Sequence, residues 1–124
     1  MSRKRILLID DEDDIREVAM LALETAGDYD VVTADGGRKG IETAAAVRPD
    51  IILLDVMMPE LDGPSTFMHL QEQDETRGIP VVFLTAKVQA ADRRHLAALG
   101  ACGIIAKPFD PMTLGDEISE LASW

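Results

Sequence analysis

Four short apolar runs in this chain each end on a polar residue: Ile6-Leu7-Leu8-Ile9 on Asp10, Ile51-Ile52-Leu53-Leu54 on Asp55, Val81-Val82-Phe83-Leu84 on Thr85, and Ile104-Ile105-Ala106 on Lys107. Runs this short and this continuously apolar read as strands covered on both faces, the habit of parallel sheets. Helical patterns stand between them, so strand and helix alternate five times along 124 residues, which predicts an α/β domain. Parallel strands point one way, so the four polar residues gather at one edge of the sheet. That edge is where open α/β sheets place their chemistry.

The spacing predicts strands over 5–10, 29–34, 51–55, 80–85 and 102–106, the second being more mixed in character and therefore an edge strand. The first helix is predicted over Asp14 to Thr25, with Ile15, Val18, Ala22 and Thr25 on its inner face, Asp13 or Asp14 as its cap, and Gly27 as its stop. The second runs from about Gly37 to Val47, ahead of Pro49. The third, Gly63 to Gln73, carries Pro64 in its first turn and turns Phe67 and Leu70 inward. The fourth, Ala90 to Leu99, ends at Gly100. The fifth starts at Pro111 and shows Leu114, Ile118 and Leu121 as one stripe that Trp124 continues. Right-handed crossovers then wind the sheet doubly, with the second strand outermost and the first beside the third. In that topology Asp10 and Asp55 are neighbours.

Residues 1–124 are expected to form a single domain, large enough to bury roughly two-thirds of its unfolded surface. No apolar run approaches the ~18 residues that span a bilayer, and the stretch after Met1-Ser2-Arg3-Lys4-Arg5 is too short for a signal peptide, so the cytoplasm is the default location. The formal charge of −11 argues against autonomous nucleic-acid binding, which rests on clustered Lys and Arg. Arg3-Lys4-Arg5 reads as a solubilising flank. Cys102 is the single cysteine, which rules out an intramolecular disulfide and a thiolate cluster, and its place in an apolar strand predicts a core packing role. His69 and His95 lack ligand-spaced partners and are expected to face solvent or pack. Asp92-Arg93-Arg94 reads as a solvated helix face, and Met57, Met58 and Met68 as gap fillers.

Asp10, Asp11 and Asp55 should lie within several ångströms of one another. Like charges ~4 Å apart repel by about 4 kcal/mol at an effective dielectric of 20, so something must offset them. A hard divalent cation is the natural answer for converging oxygens at a solvent-open rim, and Mg²⁺ suits best because it uses one or two carboxylates and binds phosphate oxygens. Lys107 can reach this pocket as a point charge, and Thr85 offers a hydroxyl to a phosphoryl oxygen. A carboxylate can attack phosphorus to give an acyl phosphate while a cation and a lysine neutralise the transferring oxygens. The new charge would force a local rearrangement, which describes a switch as readily as an enzyme.

In this order, Ile6-Leu7-Leu8-Ile9-Asp10-Asp11-Glu12, Leu53-Leu54-Asp55-Val56-Met57-Met58-Pro59 through Asp62-Gly63, Leu84-Thr85-Ala86 and Lys107-Pro108-Phe109 resemble the receiver domain of two-component response regulators. The resemblance covers essentially the whole chain. It implies a flavodoxin-like (βα)5 fold with strand order 2-1-3-4-5, and Asp55 as the phosphoacceptor served by a sensor histidine kinase or histidine phosphotransfer protein. It also implies Mg²⁺ bound directly by Asp11 and Asp55, mostly through water by Asp10, and by the main-chain carbonyl of Met57. Thr85 and Lys107 would contact the phosphoryl group, and the Lys107-Pro108 bond would be cis. Met57 and Lys87 would tune the lifetime of the acyl phosphate without abolishing its formation. The partners implied are the phosphodonor protein and a downstream effector protein or domain, with phosphorylation-dependent dimerisation as a further option. The family usually carries Tyr or Phe three residues before the pocket lysine, where this chain has Ile104.

Two other readings compete. A Mg²⁺-dependent phosphatase of the haloacid dehalogenase type also uses a strand-end aspartate, a lysine and a threonine, but requires a second aspartate two residues after the nucleophile in a setting that neither Asp11-Glu12-Asp13-Asp14-Ile15 nor the Asp55 loop provides. A degenerate receiver acting as a constitutive docking domain would lack pocket residues that are all present here. The chain reads either as a stand-alone receiver or as a piece of a longer regulator or hybrid kinase.

Overall fold

The computed structural model describes residues 3–27, 29–86 and 89–124. Five strands, β1 (Lys4–Ile9), β2 (Tyr29–Ala34), β3 (Ile51–Asp55), β4 (Val81–Thr85) and β5 (Gly103–Ala106), alternate with five helices, α1 (Asp13–Ala26), α2 (Gly37–Val47), α3 (Gly63–Glu72), α4 (Ala90–Ala98) and α5 (Leu114–Ala122). All strand pairs are parallel, and the order across the sheet is β2-β1-β3-β4-β5. The predicted α/β, doubly wound architecture is thus the observed one, with β2 at an edge as its mixed sequence foretold.

Strand alternation sorts the apolar runs between two cores. Ile6 and Leu8 of β1, Leu53 of β3, Val82 and Leu84 of β4 and Ile105 of β5 pack with Ala19 and Leu23 of α1 and Leu114 and Ile118 of α5. Leu7 and Ile9, Ile52 and Leu54, and Val81 and Phe83 face the other way, onto Ala44, Phe67, Leu70 and Leu96 of α2, α3 and α4. Every residue of β3 and β4 is buried. That explains why their sequences run continuously apolar instead of alternating.

Several local expectations need correction. The buried face of α1 is Ala19 and Leu23, whereas Val18 is exposed. This helix carries two apolar stripes, and the sheet takes the one that includes small Ala19. The N-cap of α1 is Glu12, without a side-chain capping hydrogen bond, and Asp13 and Asp14 fall in the first turn, where they complement the helix dipole. Gly27 does end α1, at φ 95°. Helix α5 begins at Leu114, not Pro111, and stops before Trp124. Ser123 turns left-handed there, and the Trp124 ring leans on Tyr29 at 6.1 Å with the Lys4 ammonium 5.3 Å from its centroid. Arg3 bonds Asp30 and the Gly27 carbonyl, so the basic flank also ties β1 to the start of β2. Cys102 precedes β5 and is exposed, so it is not a core residue. Met58 is buried, but Met57 and Met68 are exposed.

Candidate functional site

The register of the strands brings the polar ends together. Ile9 pairs with Leu54, so Asp10 and Asp55 stand side by side one residue further on. Asp55 pairs with Leu84 and Thr85 with Ala106, which sets Thr85 next to Asp55 and Lys107 just beyond. Main-chain bonds extend the sheet past its strands at these points: Asp10 N donates to Ala34 O at 3.1 Å, Val56 N to Leu84 O at 3.0 Å, and Lys107 N to Thr85 O at 2.9 Å. By alternation Asp10, Asp55 and Lys107 continue the face packed by α1 and α5, while Thr85 continues the face of Phe83 and Ile104.

The Lys107 ammonium lies 2.9 Å from Asp10 Oδ2, 3.2 Å from Glu12 Oε1 and 3.3 Å from Asp55 Oδ1. Burial disfavours its charge, but hydrogen bonds and attraction from Asp10, Asp55 and Glu12 win, and its pKa is driven above the ordinary lysine value. The peptide bond between Lys107 and Pro108 is cis. Asp55 is pushed the opposite way from the usual buried partner of a lysine: burial and the Asp10 charge raise its pKa to about 6, although Lys107 and the Met57 N–H pull it down. One of its oxygens, Oδ2, is shut from solvent and has no hydrogen-bond partner among the described residues.

Asp10 is held on all sides. Its Oδ1 accepts from Glu12 N at 2.9 Å, and its carbonyl accepts from Arg16 Nη1 at 2.7 Å, while Arg16 also pairs with Asp13. Sequence reasoning missed Arg16 and the role of Glu12. Arg16 carries a signal, since three residues after Asp13 on a helix puts it back over the β1–α1 turn.

Behind Asp55, Gly63 seats the first turn of α3 against the loop. A Cβ there would lie 2.4 Å from the Asp55 carbonyl oxygen and 2.8 Å from Val56 Cα, so only glycine permits this approach. Gly63 N bonds Val56 O at 2.9 Å, and Asp62 caps the helix by accepting from Ser65 N at 2.8 Å.

Asp10, Asp11, Glu12 and Asp55 can each offer one oxygen within 4.8 Å of the others, Asp10 and Asp55 buried and the other two open to solvent. An open cleft of about 300 Å³ leads to them between Glu12, Ile15, Met57, Ala86 and Pro108. An all-oxygen donor set with a buried, unpartnered carboxylate oxygen fits a hard cation. Thr85 is buried at the strand end as expected, and Ile104 packs half-buried beside Phe83. His69 and His95 are exposed, as are Arg93 and Arg94. Lys87 lies outside the described residues. No helix among the described residues is long and apolar enough to cross a membrane.

Known proteins resemble this chain in sequence and fold. The family described as response regulator receiver domain matches residues 6–119. The chain is 36% identical over 118 residues to the alkaline phosphatase synthesis transcriptional regulatory protein PhoP of Bacillus subtilis, covering 95% of this chain and 48% of that protein. It is 42% identical over 106 residues to the DNA-binding dual master transcriptional regulator RpaA of Synechocystis, covering 86% of this chain and 44% of that one. It thus spans under half the length of these relatives. Among solved structures, the chemotaxis protein CheY4 of Vibrio cholerae superposes with a TM-score of 0.89 at 31% identity, over 97% of this chain and 99% of that one. Family match and fold together set aside the haloacid dehalogenase reading. The chain belongs to the receiver domains of two-component response regulators.

Proposed function

We propose that Asp55 is the phosphoacceptor of this receiver and that Asp10, Asp11 and Asp55, with the Met57 main-chain carbonyl, hold Mg²⁺. The observation that supports this most is the state of Asp55 itself: a buried carboxylate beside a second buried carboxylate, with one oxygen lacking a hydrogen-bond partner among the described residues. Its charge is poorly served by the protein alone, which is what a nucleophile reserved for a phosphoryl group and a cation requires.

In the proposed reaction an Asp55 oxygen attacks the phosphorus of a phosphohistidine on a sensor kinase or phosphotransfer protein. The P–N bond breaks, its electron pair returns to the imidazole nitrogen, which takes up a proton, and Asp55 becomes an acyl phosphate. Bound Mg²⁺ would neutralise charge on the transferring oxygens. Asp10, anchored by Glu12 N and Arg16, orients the acidic cluster, and Lys107 donates to a phosphoryl oxygen from the position where it now faces Asp55. Thr85, at the end of β4, offers its hydroxyl to another. Water attack on the phosphorus returns Asp55 and inorganic phosphate, with Met57, exposed beside the site, and Lys87 setting the rate.

The reading extends to a cytoplasmic signalling role. Phosphorylation changes contacts with an effector protein or domain, or between two copies of the receiver, and the domain assists its own phosphorylation and dephosphorylation without being an enzyme of separate substrates. Two of the relatives named above are transcriptional regulators about twice as long, which supports an effector reached through this domain.

Incubation with Mg²⁺ and acetyl phosphate, followed by intact-mass measurement, tests the site. Wild type should gain one phosphoryl mass that hydroxylamine removes, and chelation or Asp55→Asn should abolish the gain. A folded wild type that stays unmodified, or an Asp55→Asn variant that gains equally, would refute it.

A further inference from the structure

Glu12 is the one carboxylate around Lys107 that the receiver reaction does not need. Asp10 and Asp55 are fixed in the core, whereas the Glu12 side chain is 59% exposed and meets the Lys107 ammonium from the solvent side at 3.2 Å. It also lines the cleft that opens onto Asp55, and one of its carboxylate oxygens lies within 4.8 Å of an Asp55 oxygen. A phosphoryl group on Asp55 would therefore carry its oxygens into the space between Glu12 and the ammonium.

We propose that Glu12 competes with the phosphoryl group for Lys107 and so weakens this receiver's hold on its phosphorylated state. The inference rests on Asp55 being the phosphoacceptor. Lys107 has three N–H donors, and in this structure three carboxylates surround them. Phosphorylation replaces the single charge of the Asp55 carboxylate with about two on the phosphoryl oxygens, a net gain of about one negative charge placed closer to the ammonium. The cheapest partner to displace is the one already in water, because an exposed ion pair contributes little and is screened by salt. Glu12 leaves its place beside Lys107 when the phosphoryl group arrives and returns when it is lost. As a positioning residue it holds the ammonium while the site is empty and penalises the occupied state.

The test uses beryllofluoride, a non-covalent stand-in for the phosphoryl group, titrated at saturating Mg²⁺ and followed by amide NMR shifts. Glu12→Gln and Glu12→Ala should each bind it roughly 2- to 5-fold more tightly than wild type, the range of a surface ion pair. The gain should shrink in 1 M salt, where the Debye length falls to about 3 Å. Glu17→Gln is the control, since it removes the same charge from an exposed position on α1. Equal or weaker binding by both Glu12 variants, or an equal gain in Glu17→Gln, would overturn the inference. Binding by wild type that Asp55→Asn abolishes, with no gain from Glu12, sinks this inference alone. Absence of binding to wild type sinks the assignment of Asp55 beneath it.

Discussion

Asp55 carries a cost in the resting protein that can be measured. Its pKa rises from 3.8 to about 6, because burial and Asp10 outweigh the help from Lys107. A carboxyl raised in the folded state binds its proton more tightly there than in the unfolded chain, so it favours folding below pH 4 and loses that contribution as pH climbs through about 6. The shift corresponds to roughly 3 kcal/mol. In metal-free buffer, the stability of wild type relative to Asp55→Asn should therefore fall by up to that amount between pH 4 and pH 8, as read by urea unfolding at each pH. A difference that stays constant, or grows in favour of wild type, would contradict the stated environment. Residue-scale legibility was uneven for physical reasons. Asp10, Asp55, Thr85 and Lys107 could be found because each ends an apolar run. Glu12 could not, because its importance comes from a side chain that meets Lys107, just past the end of β5 and ninety-five positions away in sequence.

Among the elements, the junction between β3 and α3 decides how sharply Asp55 is placed. The chain leaves β3, loops through Met57 to Asp62, and returns so closely that Gly63 touches the backbone beside Asp55. Gly63→Ala would press a methyl group into main-chain atoms that cannot swing aside, so a destabilisation of about 1–3 kcal/mol is expected, together with slower phosphorylation by acetyl phosphate. Urea unfolding and a mass-based time course read the two effects. An alanine variant with wild-type stability and rate would show that this approach does not position the site. Strands were easier to read than helix faces. A buried parallel strand declares itself by continuous apolar residues, but α1 offers Ile15, Val18, Leu21 and Ala22 around much of its circumference, and only packing selects Ala19 and Leu23. Cys102 misled in the same way, since the apolar pattern ran one residue past the strand that forms.

Taken as a whole, the molecule is a two-sided apolar sandwich with its polar chemistry confined to one sheet edge. The parallel order β2-β1-β3-β4-β5 puts β1 and β3 at the centre, and their ends supply the two buried acids. The doubly wound sheet, with the second strand outermost and the first beside the third, followed from the alternation of strand and helix and from crossover handedness, while the full order came with the family resemblance. Coupling from the edge to the rest of the surface was not legible, because it depends on which side of the sheet each residue enters. Asp10, Asp55 and Lys107 continue the face of α1 and α5, while Thr85 and Ile104 continue the face of α2, α3 and α4. A phosphoryl group bound by both Lys107 and Thr85 would touch both layers at once. Ile104, aliphatic where the family usually has a ring, packs with Phe83 on the second of them.

The central claim is that the acyl phosphate forms on Asp55 and on no other acid of the cluster. Borohydride reduces an acyl phosphate on aspartate to homoserine, releasing inorganic phosphate and leaving free carboxylates untouched. Phosphorylated wild-type protein, reduced in this way and mapped by peptide mass spectrometry, should carry homoserine at position 55 in a Mg²⁺-dependent manner, with Asp10, Asp11 and Glu12 unchanged. Homoserine at position 10 or 11, or an unreduced position 55 in protein that has gained a phosphoryl group, would contradict it.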